Sequence, residues 1–174
     1  FKQKNHNDET AIITGGFKDD LLYVLEVTHG RFNASQLIDK AVYHGKKWGS
    51  EKLGIEAYGA QTVIRQFLKN KMEEAKLYIP IEEILQKGTK EEKIRQLQGP
   101  VRYGKILWKP EMLDMELQFK KFPRGKHDDI IDALQMLYHF YKIQPSVEND
   151  FDFSEISYDH MGRPVFNQQS AYGY

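Results

Sequence analysis

The 174-residue sequence contains no cysteine. This excludes disulfides, zinc–thiolate sites, iron–sulfur clusters and cysteine nucleophiles, and it suits a reducing compartment. The sequence has no Gly-x-x-x-x-Gly-Lys-Ser/Thr loop and no Gly-x-Gly-x-x-Gly, so it does not read as a self-contained nucleotide-binding enzyme. Long apolar runs are lacking as well. The longest is Leu21-Leu22-Tyr23-Val24-Leu25, far short of the roughly 20 residues that span a bilayer. The amino end through Glu9 is almost entirely polar and offers no secretory signal. Neither a membrane partner nor secretion is expected.

Net charge is also absent, with 25 basic and 25 acidic residues, but the balance hides an asymmetry. Residues 146–174 hold five acids (Glu148, Asp150, Asp152, Glu155, Asp159) against Arg163, which leaves residues 1–145 with a net charge of +4. The reading is a mildly basic body, 1–145, followed by an acidic C-terminal tail, 146–174, expected to be poorly packed. Such a body permits a nucleic-acid partner without demanding one. Hydrophobic residues at 40% give one ordinary domain with a real core.

Periodicity sets the expected elements. Thr10 to Thr14 and Leu21 to Thr28 read as an antiparallel hairpin, with turn chemistry at Gly15-Gly16 and Lys18-Asp19-Asp20. Asn33, with Gln36 three residues on, caps a helix over residues 34–48. Residues 53–57 form a short strand ending in Glu56, followed by a helix that carries Val63, Ile64, Phe67, Leu68 and Met72. Residues 77–79 read as a strand ended by Pro80, and 90–97 as a charged helix broken by Gly99-Pro100. Residues 101–108 suggest a hairpin or flap around Gly104. Pro110-Glu111 opens a helix bearing Met112, Leu113, Met115, Leu117 and Phe119. Residues 122–126 make a basic loop, and residues 127–141 a helix with Ile130, Ala133/Leu134, Leu137 and Tyr141 on its buried stripe. Alternation after an opening hairpin gives an α/β class.

Three acidic positions stand out: Asp8 before the first strand, Glu56 at a strand end, and Asp128, Asp129 and Asp132 after His127. Strand carboxyl ends and helix amino ends meet at one edge of an α/β sheet. Acids three and four apart on a helix share a face. Two carboxylates about 4 Å apart repel by roughly 4 kcal/mol at an effective dielectric near 20. A hard divalent cation, Mg²⁺ or Mn²⁺, relieves that strain, and two such ions can drive phosphodiester hydrolysis. Each feature also has a plainer reading. First-turn acids suit the helix dipole, a strand-end Glu or an Asp before a strand can simply be solvated, and a lone histidine can be a cap.

Taken together, Asn7-Asp8-Glu9-Thr10-Ala11-Ile12-Ile13, Leu53-Gly54-Ile55-Glu56-Ala57-Tyr58-Gly59 and Gly125-Lys126-His127-Asp128-Asp129-Ile130-Ile131-Asp132-Ala133-Leu134 resemble the nuclease domain of a tailed-bacteriophage terminase large subunit. Lys90 to Arg95 and Gly104-Lys105-Ile106 resemble it too, and the likeness covers residues 1–143. It implies an RNase H-like mixed sheet flanked by helices, and a metal-dependent endonuclease that cuts concatemeric double-stranded viral DNA. It also implies an upstream ATPase domain, a portal and a small terminase subunit as partners, and the cytoplasm of an infected bacterium as the place of action. By motif, Glu56 is the second metal-binding acid. Asp128 and Asp129 supply the third position, Asp8 and Asp132 are further metal candidates, and His127 is a neighbour of the site. The family's first catalytic aspartate, counted back from Asp8, falls before Phe1, so the first strand is expected to be missing or upstream. Phosphate contacts are expected from Arg102, Lys105, Arg124 and Lys126. Lys2, Lys4, Lys87, Lys90, Arg95 and Lys109 are weaker candidates, and any of these can be an ordinary solvated cation. Two alternatives stay open: another RNase H-like nuclease such as a Holliday-junction resolvase, and a non-catalytic docking module of the packaging motor.

Overall fold

A computed structural model describes residues 9–56, 61–85, 88–122, 124–125, 127–142, 156–158 and 164–166. Strand β1 (Thr10–Lys18) pairs antiparallel with β2 (Leu21–Gly30). The turn between them is Asp19-Asp20 alone, both residues at positive φ (51° and 59°), as two-residue hairpin loops require. Gly15 and Gly16, expected in the turn, lie inside β1. A register shift between Thr14 and Gly15 marks a bulge there. A Cβ on Gly15 would stand 2.7 Å from side-chain carbons of both Leu22 and Leu137. The glycine therefore lets the last long helix approach the sheet.

Helix α1 (Ala34–Trp48) has the expected limits. The Asn33 side chain accepts from the Gln36 amide, the Gln36 side chain reciprocates, and Gly49 ends the helix in the left-handed region at φ 56°. Strand β3 (Leu53–Glu56), helix α2 (Gln61–Glu74) and strand β4 (Ile81–Ile84) form a parallel crossover unit. Pro80 precedes β4 rather than ending a strand at 77–79. Its missing N–H costs nothing there, and its carbonyl accepts from the Leu53 amide at 2.9 Å. Helix α3 (Lys90–Arg102), capped by Thr89 and Glu92, runs through Gly99-Pro100 instead of breaking. Pro100 sits in its last turn, where few further bonds depend on it. No flap follows. The chain turns at Gly104 (φ 65°) into β5 (Ile106–Trp108), which lies parallel to β2 at the edge of the ladder with Ile106 buried.

Helix α4 (Leu113–Lys121) starts beyond Pro110-Glu111 and has no side-chain cap. Met115 is buried, but Leu113 and Leu117 face solvent, and Gln118 is buried in their stead. Helix α5 (Asp129–Lys142) follows, and β6 (Ile156–Tyr158) pairs with β7 (Pro164–Phe166) as a small antiparallel hairpin within the acidic tail.

Among the described residues the strands form separate ladders, β1-β2-β5, β3-β4 and β6-β7. Helices cover both faces of the first. Leu22 and Val24 of β2 point toward α3, α4 and α5 and share one core with Ile94, Leu97, Ile106, Met115, Ile130, Ile131 and Leu134. Tyr23 and Leu25 point the other way, toward Trp48. A second core joins Ile38 and Val42 of α1 to Leu68 and Met72 of α2, with Ile79 and Ile81 beneath. Helix α5 touches β1, β2 and β3, and so joins the two larger ladders. The mixed α/β architecture is the one expected.

One polar clamp lies within the apolar layer. His44 of α1 is 3% exposed, and its two ring nitrogens bond the hydroxyls of Thr14 (2.8 Å) and Thr28 (2.7 Å) on β1 and β2. Beside it, Glu26 accepts from the Trp48 indole (2.5 Å) and pairs with Lys47 (2.9 Å). Burial holds His44 below its ordinary value of 6.5, and Lys47 and Lys40 add to this against the opposing charge of Glu26. Burial would raise Glu26, but hydrogen bonds from Lys47 and Trp48 overcome it, and the carboxyl sits below 4.5.

Two predictions follow from this packing. Leu134→Ala removes a fully buried side chain from the larger core and should cost about 2–5 kcal/mol in urea denaturation. The unfolded chain takes up a proton on His44 more readily than the folded chain does. The His44 contribution to stability should therefore be present above pH 6.5 and be lost as pH falls below it, with a second loss from Glu26 beginning below pH 4.5. In His44→Gln the first loss should shrink and the second should persist, read from urea midpoints across pH.

Candidate metal centre

The open end of the β1–β2 hairpin and the start of α5 come together. Register pairs Thr10 with Gly30 and Ala11 with His29, so Glu9 leads into β1 where β2 is ending. Helix α5 begins at Asp129. The Asp128 carbonyl accepts from the Asp132 amide at 2.9 Å, closing the first turn. The Ile130 amide is one of the donors that a helix start leaves without an intrahelical partner. The buried Gln118 side chain of α4 accepts from it at 3.0 Å. Sequence reasoning missed Gln118, because nothing local marks a polar residue whose partner lies twelve positions on.

Glu9, His29 and Asp129 each place one ligand atom within 4.8 Å of the others. Donors bound to one ion at about 2.0–2.2 Å lie at most about 4 Å apart, so small side-chain rotations would suffice. The donor set, two carboxylates and an imidazole, suits a divalent cation. Glu9 Oε2 is 2.7 Å from His29 Nε2 and 3.2 Å from His127 Nδ1. Glu9 and His29 are each about four-fifths buried, and His127 is more open.

Asp129 is thus the sequence-nominated acid that enters the group. Asp128 and Asp132, half-buried on the same turn, are not members of it among the described residues, nor is Glu56, which ends β3 on the other ladder. Asp8 and Lys126 lie outside the described residues. His127 stands beside the group through Glu9. Of the basic candidates, Arg102, Lys105 and Arg124 are exposed, the first two at the turn between α3 and β5 rather than on a flap. Glu9 and His29 were not singled out from the sequence. A usable signal existed, since any hairpin closing at Asp19-Asp20 brings the residues before Thr10 beside those after Val27.

A groove of about 630 Å³ shares His29 with this group and is lined further by Glu26, Lys47, Trp48, Lys109 and Glu111. Lys109 is half-buried, and desolvation lowers it from its ordinary value of 10.5. Lys47 is raised, its pairing with Glu26 outweighing desolvation. Two cations therefore stand in a groove that reaches the metal-ligand group, and Lys47 was not among the basic residues nominated from sequence.

A search of curated proteins found no match to the chain. Residues 4–106 match a family model described as Terminase Bacteriophage T7, Ribonuclease H-like domain. The matched span runs from just before β1 into β5 and includes Glu9, His29 and Glu56, while α5 and its acids follow it. More than half of the chain is covered, and the chain belongs to the family of terminase ribonuclease H-like nuclease domains.

Proposed function

We propose that this chain is the metal-dependent endonuclease domain of a DNA-packaging terminase large subunit, with residues 1–145 forming the nuclease. It would cut concatemeric double-stranded DNA by two-metal phosphodiester hydrolysis. Its setting would be the host cytoplasm, beside an ATPase domain, a portal and a small terminase subunit. The observation that carries the reading is the family match. The convergence of Asp129 with other ligand-type side chains supports it.

On this reading Glu56, Asp128 and Asp129 hold the catalytic ions, with Asp8 and Asp132 as further ligands, and Mg²⁺ or Mn²⁺ is the natural choice for carboxylate oxygen. A divalent ion bound there supplies Lewis-acid polarisation of a phosphate oxygen and a water of lowered pKa. The rest falls to the chain itself. Arg102, Lys105, Arg124 and Lys126 bind the phosphate backbone without reading sequence, and salt should weaken that binding. Lys109 and Lys47, the latter paired with Glu26, line the groove beside His29. His127, held by Glu9, positions that carboxylate.

The test is plasmid cleavage by the 174-residue chain with Mg²⁺ or Mn²⁺. A chelator should abolish cutting, and Glu56→Ala or Asp128→Ala should slow it by about 10–100-fold or more without loss of the cooperative melt. Unchanged cleavage in both variants would refute the assignment. Preference for a four-way junction over linear duplex would favour the resolvase alternative.

A further inference from the structure

We propose that Glu9, His29 and Asp129 form a mixed nitrogen–oxygen site for a borderline first-row ion of the Zn²⁺ class, and that the ion ties the open end of the hairpin to α5. The inference shares Asp129 with the nuclease reading and rests on that acid being a cation ligand. The site differs from an all-carboxylate Mg²⁺ position in its donors and in what it would do.

Two independent observations lead to it. The first is convergence. Three ligand atoms from three separate chain segments lie within 4.8 Å of one another. The second is the state of the imidazole. His29 Nε2 is shut off from solvent and has no hydrogen-bond partner among the described residues. Yet it lies 2.7 Å from Glu9 Oε2. The contact is thus a close approach that does not meet hydrogen-bond geometry. A close contact without hydrogen-bond alignment, at a nitrogen sealed from water, leaves the ring's strongest polar direction unsatisfied. A shared ion would satisfy the nitrogen and both carboxylates at once.

Donor chemistry then selects the ion. Imidazole nitrogen suits Zn²⁺ and its first-row neighbours, whereas Mg²⁺ takes oxygen ligands and keeps much of its water. Because the three donors sit at the start of β1, the end of β2 and the first turn of α5, binding would cross-link places where elements otherwise fray.

The experiment uses the 174-residue chain with Zn²⁺ or Mg²⁺ alone as the probe. Isothermal titration should find one tight Zn²⁺ per chain, and Zn²⁺ should raise the melting temperature more than Mg²⁺ does. His29→Ala and Glu9→Gln should each weaken Zn²⁺ binding by roughly tenfold or more. His139→Ala, ten positions along α5 and so about 15 Å from Asp129, should bind as the parent does. A cooperative melt in metal-free buffer establishes that each variant folds. Zn²⁺ affinity unchanged in His29→Ala would overturn the proposal, as would equal stabilisation by Mg²⁺. Cleavage unchanged in both Glu56→Ala and Asp128→Ala, with Zn²⁺ bound in this way, refutes the nuclease reading alone. A chain that cuts DNA but holds Zn²⁺ no more tightly than Mg²⁺ refutes this inference alone.

Discussion

The first turn of α5 must satisfy two opposed demands, and the rest of the molecule is arranged around the way it does so. Asp128, Asp129 and Asp132 keep partial access to water, while Ile130, Ile131 and Leu134 on the same turn and the next are wholly buried. A helix can do this only if its rotation about its own axis is fixed, since a turn of a few tens of degrees would drown an acid or expose an isoleucine. Three contacts fix it. Gly15 gives up its side chain so that Leu137 can press on β1. The larger core grips the apolar stripe from below. Gln118 takes the Ile130 amide, which ties the helix start to α4 rather than to water. The acids are displayed by the packing of what lies behind them.

That helix also joins two parts of the fold that no backbone ladder connects among the described residues. The β1-β2-β5 and β3-β4 ladders are separate, and α5 contacts strands of both. On the opposite face α1 does the matching work, clamping β1 and β2 through His44 and packing its apolar side on α2. Glu56 therefore belongs to one ladder and His29 to the other, with Glu9 just before β1. Their relation is set by helix packing rather than by strand register. Glu56 stands outside the group of Glu9, His29 and Asp129 among the described residues.

What the sequence made legible was local. The Asn33–Gln36 box, the apolar period of α1 and α5, and the strand ending in Glu56 each depend on neighbours a few positions away, and each is found where expected. The errors arose where a strong local signal met a stronger tertiary one. Pro100 is a helix breaker by propensity, yet Ile94 and Leu97 bury so completely that α3 continues past it. The segment around Gly104 reads as a flap by its glycine, yet Ile106 is core and the strand lies against β2. Gln118 and the Glu9–His29 approach join residues twelve and twenty positions apart. Composition and period are blind to such pairs, although hairpin register, once the turn is placed, exposes the second. Asp8 and Lys126 lie outside the described residues, so the geometry bears on neither.

The hairpin end shows why placement and chemistry are hard to separate in this fold. Carboxylates gathered at a helix start repel one another unless something positive stands among them, and two imidazoles flank Glu9 there. One of them, His29, keeps its Nε2 buried with no hydrogen-bond partner among the described residues. A bound cation meets the same need at any pH where the ligands are deprotonated, and it demands the convergence of lone pairs that the three side chains already approach. The requirement falls on geometry that the larger core supplies, since that core holds Ile130, Ile131 and Leu134 of α5. Stability of the core behind α5 and occupancy of the edge in front of it are then one linked equilibrium: an ion that binds only the assembled edge stabilises the fold, and any loosening of the core weakens the ion's hold.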